Sequence, residues 1–136
     1  MISTRGRYAL RVLVDLAQNG HECFIPMKDV AARQGISLKY LEQILPVLTK
    51  NKLVETAHGK GGGYRLAAKP ETIVIGDVLR LTENNLAPVA CLAEGAGKCE
   101  RESICPTLDF WKGLNDVVNT YLDSKTLEDL IPSEFL

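Results

Sequence analysis

Gly35-Ile36-Ser37-Leu38-Lys39-Tyr40-Leu41-Glu42-Gln43-Ile44-Leu45-Pro46-Val47-Leu48 is the stretch on which the fold turns. Leu41, Ile44, Leu45 and Leu48 recur at i, i+3, i+4 and i+7, the apolar stripe of an amphipathic helix. Ser37 is placed to cap that helix, and Gly35 supplies a residue able to take the left-handed conformation that stops the helix before it. The preceding helix is short, opens at Pro26 and carries Met27, Val30 and Ala31 on one side. Two short helices joined by a glycine-containing turn make a helix-turn-helix. With the stripe buried, the 100° step brings Lys39, Gln43 and Lys50 to the opposite face, with Tyr40 on a flank. Lysine pairs with phosphate or guanine and glutamine bonds two edge atoms of adenine, so this face suits a DNA major groove. An ordinary solvated helix face has the same composition. Pro46, inside the helix, predicts a local kink or end.

Upstream, Ala9, Leu10, Leu13, Leu16 and Ala17 give a further amphipathic helix, which Asn19-Gly20 ends. Downstream, residues 53–57 and 63–67 read as two strands joined by His58-Gly59-Lys60-Gly61-Gly62, a basic, glycine-rich hairpin tip. The tip lacks the spacing of a phosphate-binding loop and joins strands instead of opening a helix. Directly after a helix-turn-helix it reads as a wing, its glycines allowing close approach to a phosphate backbone. Residues 73–81 form a helical connector, and residues 82–104 have no sustained period. Pro106 then opens a long helix whose apolar face is Leu108, Trp111, Leu114, Val118, Tyr121 and Leu122, followed by one more turn through Leu127 and Ile131. That face serves either dimerisation or packing on the chain's own core. The expected fold is mostly α with a small β-hairpin. A winged helix-turn-helix DNA-binding domain spans 1–82, a cysteine-containing loop 83–105, and a dimerisation helix with its tail 106–136.

The 136 residues, 46% apolar and 24% charged, suit one folded unit. Arg11 and Asp15 interrupt the first apolar stretch, which excludes it as a signal segment or membrane span and makes the cytoplasm the expected compartment. The net charge of −1 hides an asymmetry. Residues 1–65 carry ten Lys and Arg against five Asp and Glu, whereas residues 66–136 carry six against twelve. A polyanion-binding face therefore belongs to the N-terminal half. Neither His21 nor His58 has a nucleophile or carboxylate arrangement around it, and no enzyme is expected.

Of four cysteines, Cys91, Cys99 and Cys105 fall within fifteen residues while Cys23 stands alone. In a reducing compartment, close spacing points to metal or redox chemistry more than to structural disulfides. Soft thiolates suit an iron–sulfur cluster, and Cys105 precedes a helix start, where the dipole favours an anion. The competing readings are a redox or disulfide-forming thiol group, structural cysteines, and a zinc site, which ordinarily needs four good ligands. Cys23 reads as a small buried residue.

The opening Ser3-Thr4-Arg5-Gly6-Arg7-Tyr8-Ala9-Leu10, the run from Gly35 to Leu45, the segment Gly61-Gly62-Gly63-Tyr64-Arg65-Leu66-Ala67 and the late Leu122-Asp123-Ser124-Lys125-Thr126-Leu127 resemble the Rrf-two group of iron–sulfur cluster regulators, with its IscR, NsrR and CymR branches. The likeness covers nearly the whole chain and is nearest to the IscR-like branch. It implies a homodimeric winged-helix transcription factor on a partly palindromic DNA operator, with no membrane role. It further implies DNA contacts at Ser37, Lys39, Tyr40 and Gln43, at His58, Gly59 and Lys60 of the wing, and at Arg5 and Arg7. Glu42 either meets a cytosine amino group or pairs with Lys39.

Cys91, Cys99 and Cys105 resemble the three cluster ligands of the IscR and NsrR branches, which implies an iron–sulfur cofactor of two or four irons. The spacing departs from the family in its longer first gap, C-x7-C-x5-C. Leu108 stands where the IscR branch has a ligating histidine, and leucine cannot bind iron. A fourth ligand would then be Glu94, Glu102 or Asp109, a partner residue, or an exogenous group, and a labile cluster is expected. Operator binding would respond to iron–sulfur status, oxygen or nitric oxide. Two alternatives compete: a CymR-like repressor controlled by thiol oxidation or a partner protein, and a small iron–sulfur redox protein, for which the helix-turn-helix would have no use.

Overall fold

The computed structural model describes residues 2–20 and 22–135, the last of these by its backbone only. The architecture is mostly helical, with one two-stranded antiparallel hairpin. Helix α1 (Thr4–Asn19) lies at the centre and touches α2, α3, α4, α6 and β2. It starts earlier than its apolar period, because the Ser3 hydroxyl caps it by accepting from the Gly6 N–H. Ala9, Val12, Leu13 and Leu16 are buried along its inner face.

Helix α2 (Met27–Gln34) ends at Gly35, whose φ of 64° and ψ of 34° are left-handed as expected. Helix α3 (Leu38–Lys50) follows, with the Ser37 hydroxyl accepting the Tyr40 N–H at 3.1 Å. Leu41, Ile44, Leu45 and Leu48 are all buried, each contributing about 1.5–3 kcal/mol relative to exposure. Of the expected kink or end at Pro46, the end does not occur: α3 continues through it to Lys50. Proline lacks the N–H that the Glu42 carbonyl would accept from; Pro46 and Glu42 lie on the exposed face, open to solvent, while the buried stripe anchors both sides.

Strands β1 (Val54–Ala57) and β2 (Gly63–Leu66) pair from Val54 opposite Leu66 to Ala57 opposite Gly63. Ile25 adds a one-residue bridge to this hairpin, exchanging two 2.8 Å backbone bonds with Tyr64. The wing is thereby tied to the loop ahead of α2.

Helix α4 (Ile75–Thr82) comes after a single 3-10 turn at Pro70–Thr72. The cysteine loop follows, with one short 3-10 turn at Ala90–Leu92. Helix α5 (Leu108–Asp123) begins two residues later than the expected start at Pro106, with Thr107 in the capping position. None of its residues is buried. The chain then returns: Leu127 donates to the Ile73 carbonyl at 2.8 Å, Ile75 donates to the Lys125 carbonyl at 2.9 Å, and the short α6 (Leu127–Leu130) buries Leu127 in the core.

Candidate nucleic-acid interface and cysteine loop

The surface of α3 carries the expected polar groups. Lys39, Gln43 and Lys50 are exposed, as is Ser37 at the cap. Tyr40 is half-buried, its ring edge-on to Tyr8 of α1 at 5.3 Å, so it also fixes α3 against α1. Arg5 and Arg7 are exposed on the first turn of α1, where the positive end of the helix adds to their charge. Arg7 donates to the Thr4 hydroxyl at 3.1 Å. His58, Gly59 and Lys60 form the exposed hairpin tip, where Gly59 and Gly61 take φ values of 86° and 79° that a side chain would resist. The cationic groups of the N-terminal half are spread over α1, α2, α3, the turn after α3 and the wing; of these, Arg5, Arg7, Lys39, Lys50 and Lys60 are exposed on α1, α3 and the wing tip. His21 lies outside the described residues.

The sequence reading missed three features that set this surface. Asp15 is fully buried, accepting from Arg33 Nε at 3.0 Å, Arg33 Nη2 at 2.7 Å and Gln34 Nε2 at 2.9 Å. Gln34 also receives the Arg11 guanidinium on its side-chain and backbone oxygens, so α1 holds α2 through a polar network. Arg65 lies over the Phe24 ring at 4.2 Å and donates to the Glu22 carbonyl at 2.8 Å and to Glu55, bracing the base of the wing. Leu38 is 45% exposed beside Ser37 and Lys39, an apolar surface of the kind that meets a thymine methyl. No periodicity signals pairs eighteen or forty-three residues apart.

The cysteine loop is exposed for most of its length. Cys91 and Cys99 are exposed, Cys105 is half-buried, and all three are free thiols. Cys23 is exposed, against the expectation that it is buried: it sits in the short turn between α1 and the Ile25 bridge, outside the core. Cys91, Cys99 and Glu102 border one cavity of about 230 Å3, with Leu108 and Lys112 of α5 on its far side. Cys105 lies against the start of α5, its Sγ 3.5 Å from the Thr107 hydroxyl. That hydrogen bond, with the Thr107 and Leu108 backbone N–H groups and the nearby Arg101, holds the Cys105 thiol below its ordinary pKa and favours thiolate. Among the described residues, no three His, Cys, Asp or Glu side chains are already gathered to hold a metal ion.

On α5, Phe110 and Val117 are 66% exposed and Tyr121 is 61% exposed. With the half-buried Leu114 they follow a 4-3-4 spacing along one side of the helix. Leu108, Trp111, Leu114, Val118 and Leu122 are half-buried, and α5 packs on α4. The link is polar as well: Arg80 of α4 reaches both Asp123 oxygens, at 2.7 and 3.1 Å, and Asn119 at 2.9 Å. Hydrogen bonding to Arg80 holds the Asp123 carboxyl below its ordinary pKa.

A winged helix carrying a thiol-bearing loop and a long exposed helix has close counterparts. The family model described as Rrf2, iron-dependent transcriptional regulator, matches residues 2–133. The chain belongs to the Rrf2 family. The HTH-type transcriptional regulator IscR of Escherichia coli O1:K1 / APEC is 35% identical over 133 residues, 98% of this chain and 81% of that protein. Among solved structures, T. potens IscR has a TM-score of 0.76 and 35% identity over 96% of this chain and 85% of that one. CymR (YrzC), described as the global cysteine regulator of B. subtilis, has a TM-score of 0.77 and 36% identity over 96% and 95%. The Rrf2 chain described here is therefore a winged-helix DNA-binding transcriptional regulator. Among its described residues, no helix is long and apolar enough to cross a membrane.

Proposed function

We propose that this Rrf2 regulator is a homodimer whose operator binding is modulated by an iron–sulfur cluster held by Cys91, Cys99 and Cys105. The observation that carries the reading is the thiol set itself. Two of the three cysteines border a common cavity, and the third sits at a helix start where its hydrogen bond with Thr107 favours thiolate. Soft sulfur donors suit iron, and the exposed loop has room to bring its third thiol inward on binding, since the three are not gathered beforehand. Leu108 lines the cavity and offers no donor, so Glu102, the one carboxylate on that cavity, is the candidate fourth ligand from this chain. A bound cluster would supply a reactive group whose loss to iron scarcity, oxygen or nitric oxide is the signal.

The rest of the chain does the reading of DNA. In this proposal Ser37, Lys39, Tyr40 and Gln43 enter the major groove, with Glu42 beside them, while Arg5, Arg7, His58, Gly59 and Lys60 hold phosphates and the adjacent groove. The exposed stripe of α5 meets the same helix of a second protomer. Beside it, an apolar groove of about 390 Å3 lined by Leu10, Ile75, Leu79, Tyr121, Leu122 and Leu130 extends the surface to be covered. Because the loop runs directly into α5, ordering it would reset the spacing of the two recognition helices.

Anaerobic reconstitution, with an optical spectrum and iron and sulfide assays on wild type and Cys99→Ala, tests the cluster. A colourless, iron-free wild type removes it. DNA titrations at several salt concentrations give a steep negative slope, which falls by about one per half-site in Lys60→Ala. The likeness to CymR and the thiolate-favouring Cys105 support a second reading, regulation by thiol oxidation without a cluster. That reading gains if the reconstituted protein is colourless and peroxide still alters DNA affinity.

A further inference from the structure

The residue that caps the end of α4 and begins the loop reaches back to the start of α1. Glu83 Oε1 accepts both the Ser3 backbone N–H at 2.9 Å and the Ser3 hydroxyl at 2.8 Å. The same Ser3 hydroxyl accepts the Gly6 N–H, so a chain of hydrogen bonds runs from the end of α4 into the first turn of α1. That approach is close enough to require glycine. A Cβ on Gly6 would lie 2.3 Å from Glu83 Oε1 and 3.2 Å from both Thr82 Oγ1 and Leu79 Cδ2. Arg5 and Arg7 flank Gly6 and are exposed.

We infer that Glu83 is a positioning residue for DNA binding: by holding Ser3 it sets the first turn of α1 against α4 and aims Arg5 and Arg7 at the phosphate backbone. The inference rests on the phosphate-contact reading of those two arginines. A carboxylate at a helix start complements the exposed N–H groups and the positive end of the dipole. One acceptor oxygen serving both Ser3 donors fixes the turn's direction as well as its stability. Without it, the two arginines sit on a fraying end and lose their common orientation.

The test uses the full chain and a mixed-sequence DNA duplex, with the salt dependence of binding as the readout. The log–log slope counts phosphate contacts, losing about 0.9 for each one removed. Glu83→Ala is expected to flatten the slope, toward that of an Arg5→Ala, Arg7→Ala double variant. Glu83→Gln removes the same charge but keeps a side-chain oxygen for Ser3, and is expected to retain the wild-type slope. Gly6→Ala attacks the contact from the other side. Alanine is the better helix former, so a flattened slope there separates orientation from helix content. Equal slopes for wild type and Glu83→Ala, or equal flattening in Glu83→Ala and Glu83→Gln, would overturn the inference. A wild-type slope in the double arginine variant would instead sink the phosphate-contact reading, and the positioning role with it.

Discussion

Residues 4–82 and residues 84–123 are built on opposite principles. In the first, α1 to α4 and the hairpin close on a continuous core, and even the buried Asp15 has three donors. In the second, Leu86 is the only buried residue and Phe110, Val117 and Tyr121 of α5 are exposed apolar side chains. The first region is closed from within the chain, with Leu86 and the returning Leu127 completing its core. The second leaves its thiols and the outer stripe of α5 bare, and α5 rests mainly on its packing against α4.

The contrast is broken or sharpened by substitutions on either side of it. Leu41→Ala, in the core of α3, is expected to lower unfolding stability by about 2–5 kcal/mol in urea denaturation. Arg33→Ala comes next, at about 2 kcal/mol, because it strips a buried carboxylate of two donors but leaves Gln34 in place. A loss no larger than that of an exposed α2 substitution would show that Asp15 is not held as described. On the other side, Val117→Asp is expected to weaken self-association about tenfold or more by sedimentation, with the unfolding midpoint of dilute protein unchanged. A variant that unfolds without dissociating would place Val117 in the protomer's own core.

The smallest effect concerns the seam between the regions. Arg80 depresses the folded-state pKa of Asp123, so the pair stabilises above the unfolded carboxyl value of about 3.9 and loses that contribution as pH falls through the lower, folded value. Thermal midpoints of wild type and Asp123→Asn should differ at neutral pH and converge in acid below about 4. A difference that persists unchanged in acid would mean that Asp123 acts other than as a charged partner of Arg80.

The same contrast explains what the sequence disclosed. The helix-turn-helix was legible because Gly35, Ser37 and the Leu41 stripe act locally, each through its own turn of backbone. Asp15 reads as an ordinary polar break in α1 because its partners lie eighteen and nineteen residues away. Helix α5 was located, but its faces were merged. Neighbouring pairs such as Phe110-Trp111, Val117-Val118 and Tyr121-Leu122 are each about 100° apart. Two stripes therefore overlap in the periodicity, and only packing on α4 shows which one is left bare. The donor spacing of the cysteine loop was visible at once, whereas the cavity that Cys91 shares with Cys99 depends on the opposing side of α5.

Where the chain returns to the core has a consequence for how this architecture tolerates change. Val74 bridges Thr126, and Arg80 clamps Asp123, so the whole excursion from 83 to 123 departs and re-enters through one doorway. Its two ends are fixed by the body of the molecule, and closure entropy rises only slowly with length. Insertions or deletions confined to the exposed loop between Asn84 and Thr107 are therefore expected to leave the winged half folded, because Glu83 and Asp123, which anchor the two ends, stay in place.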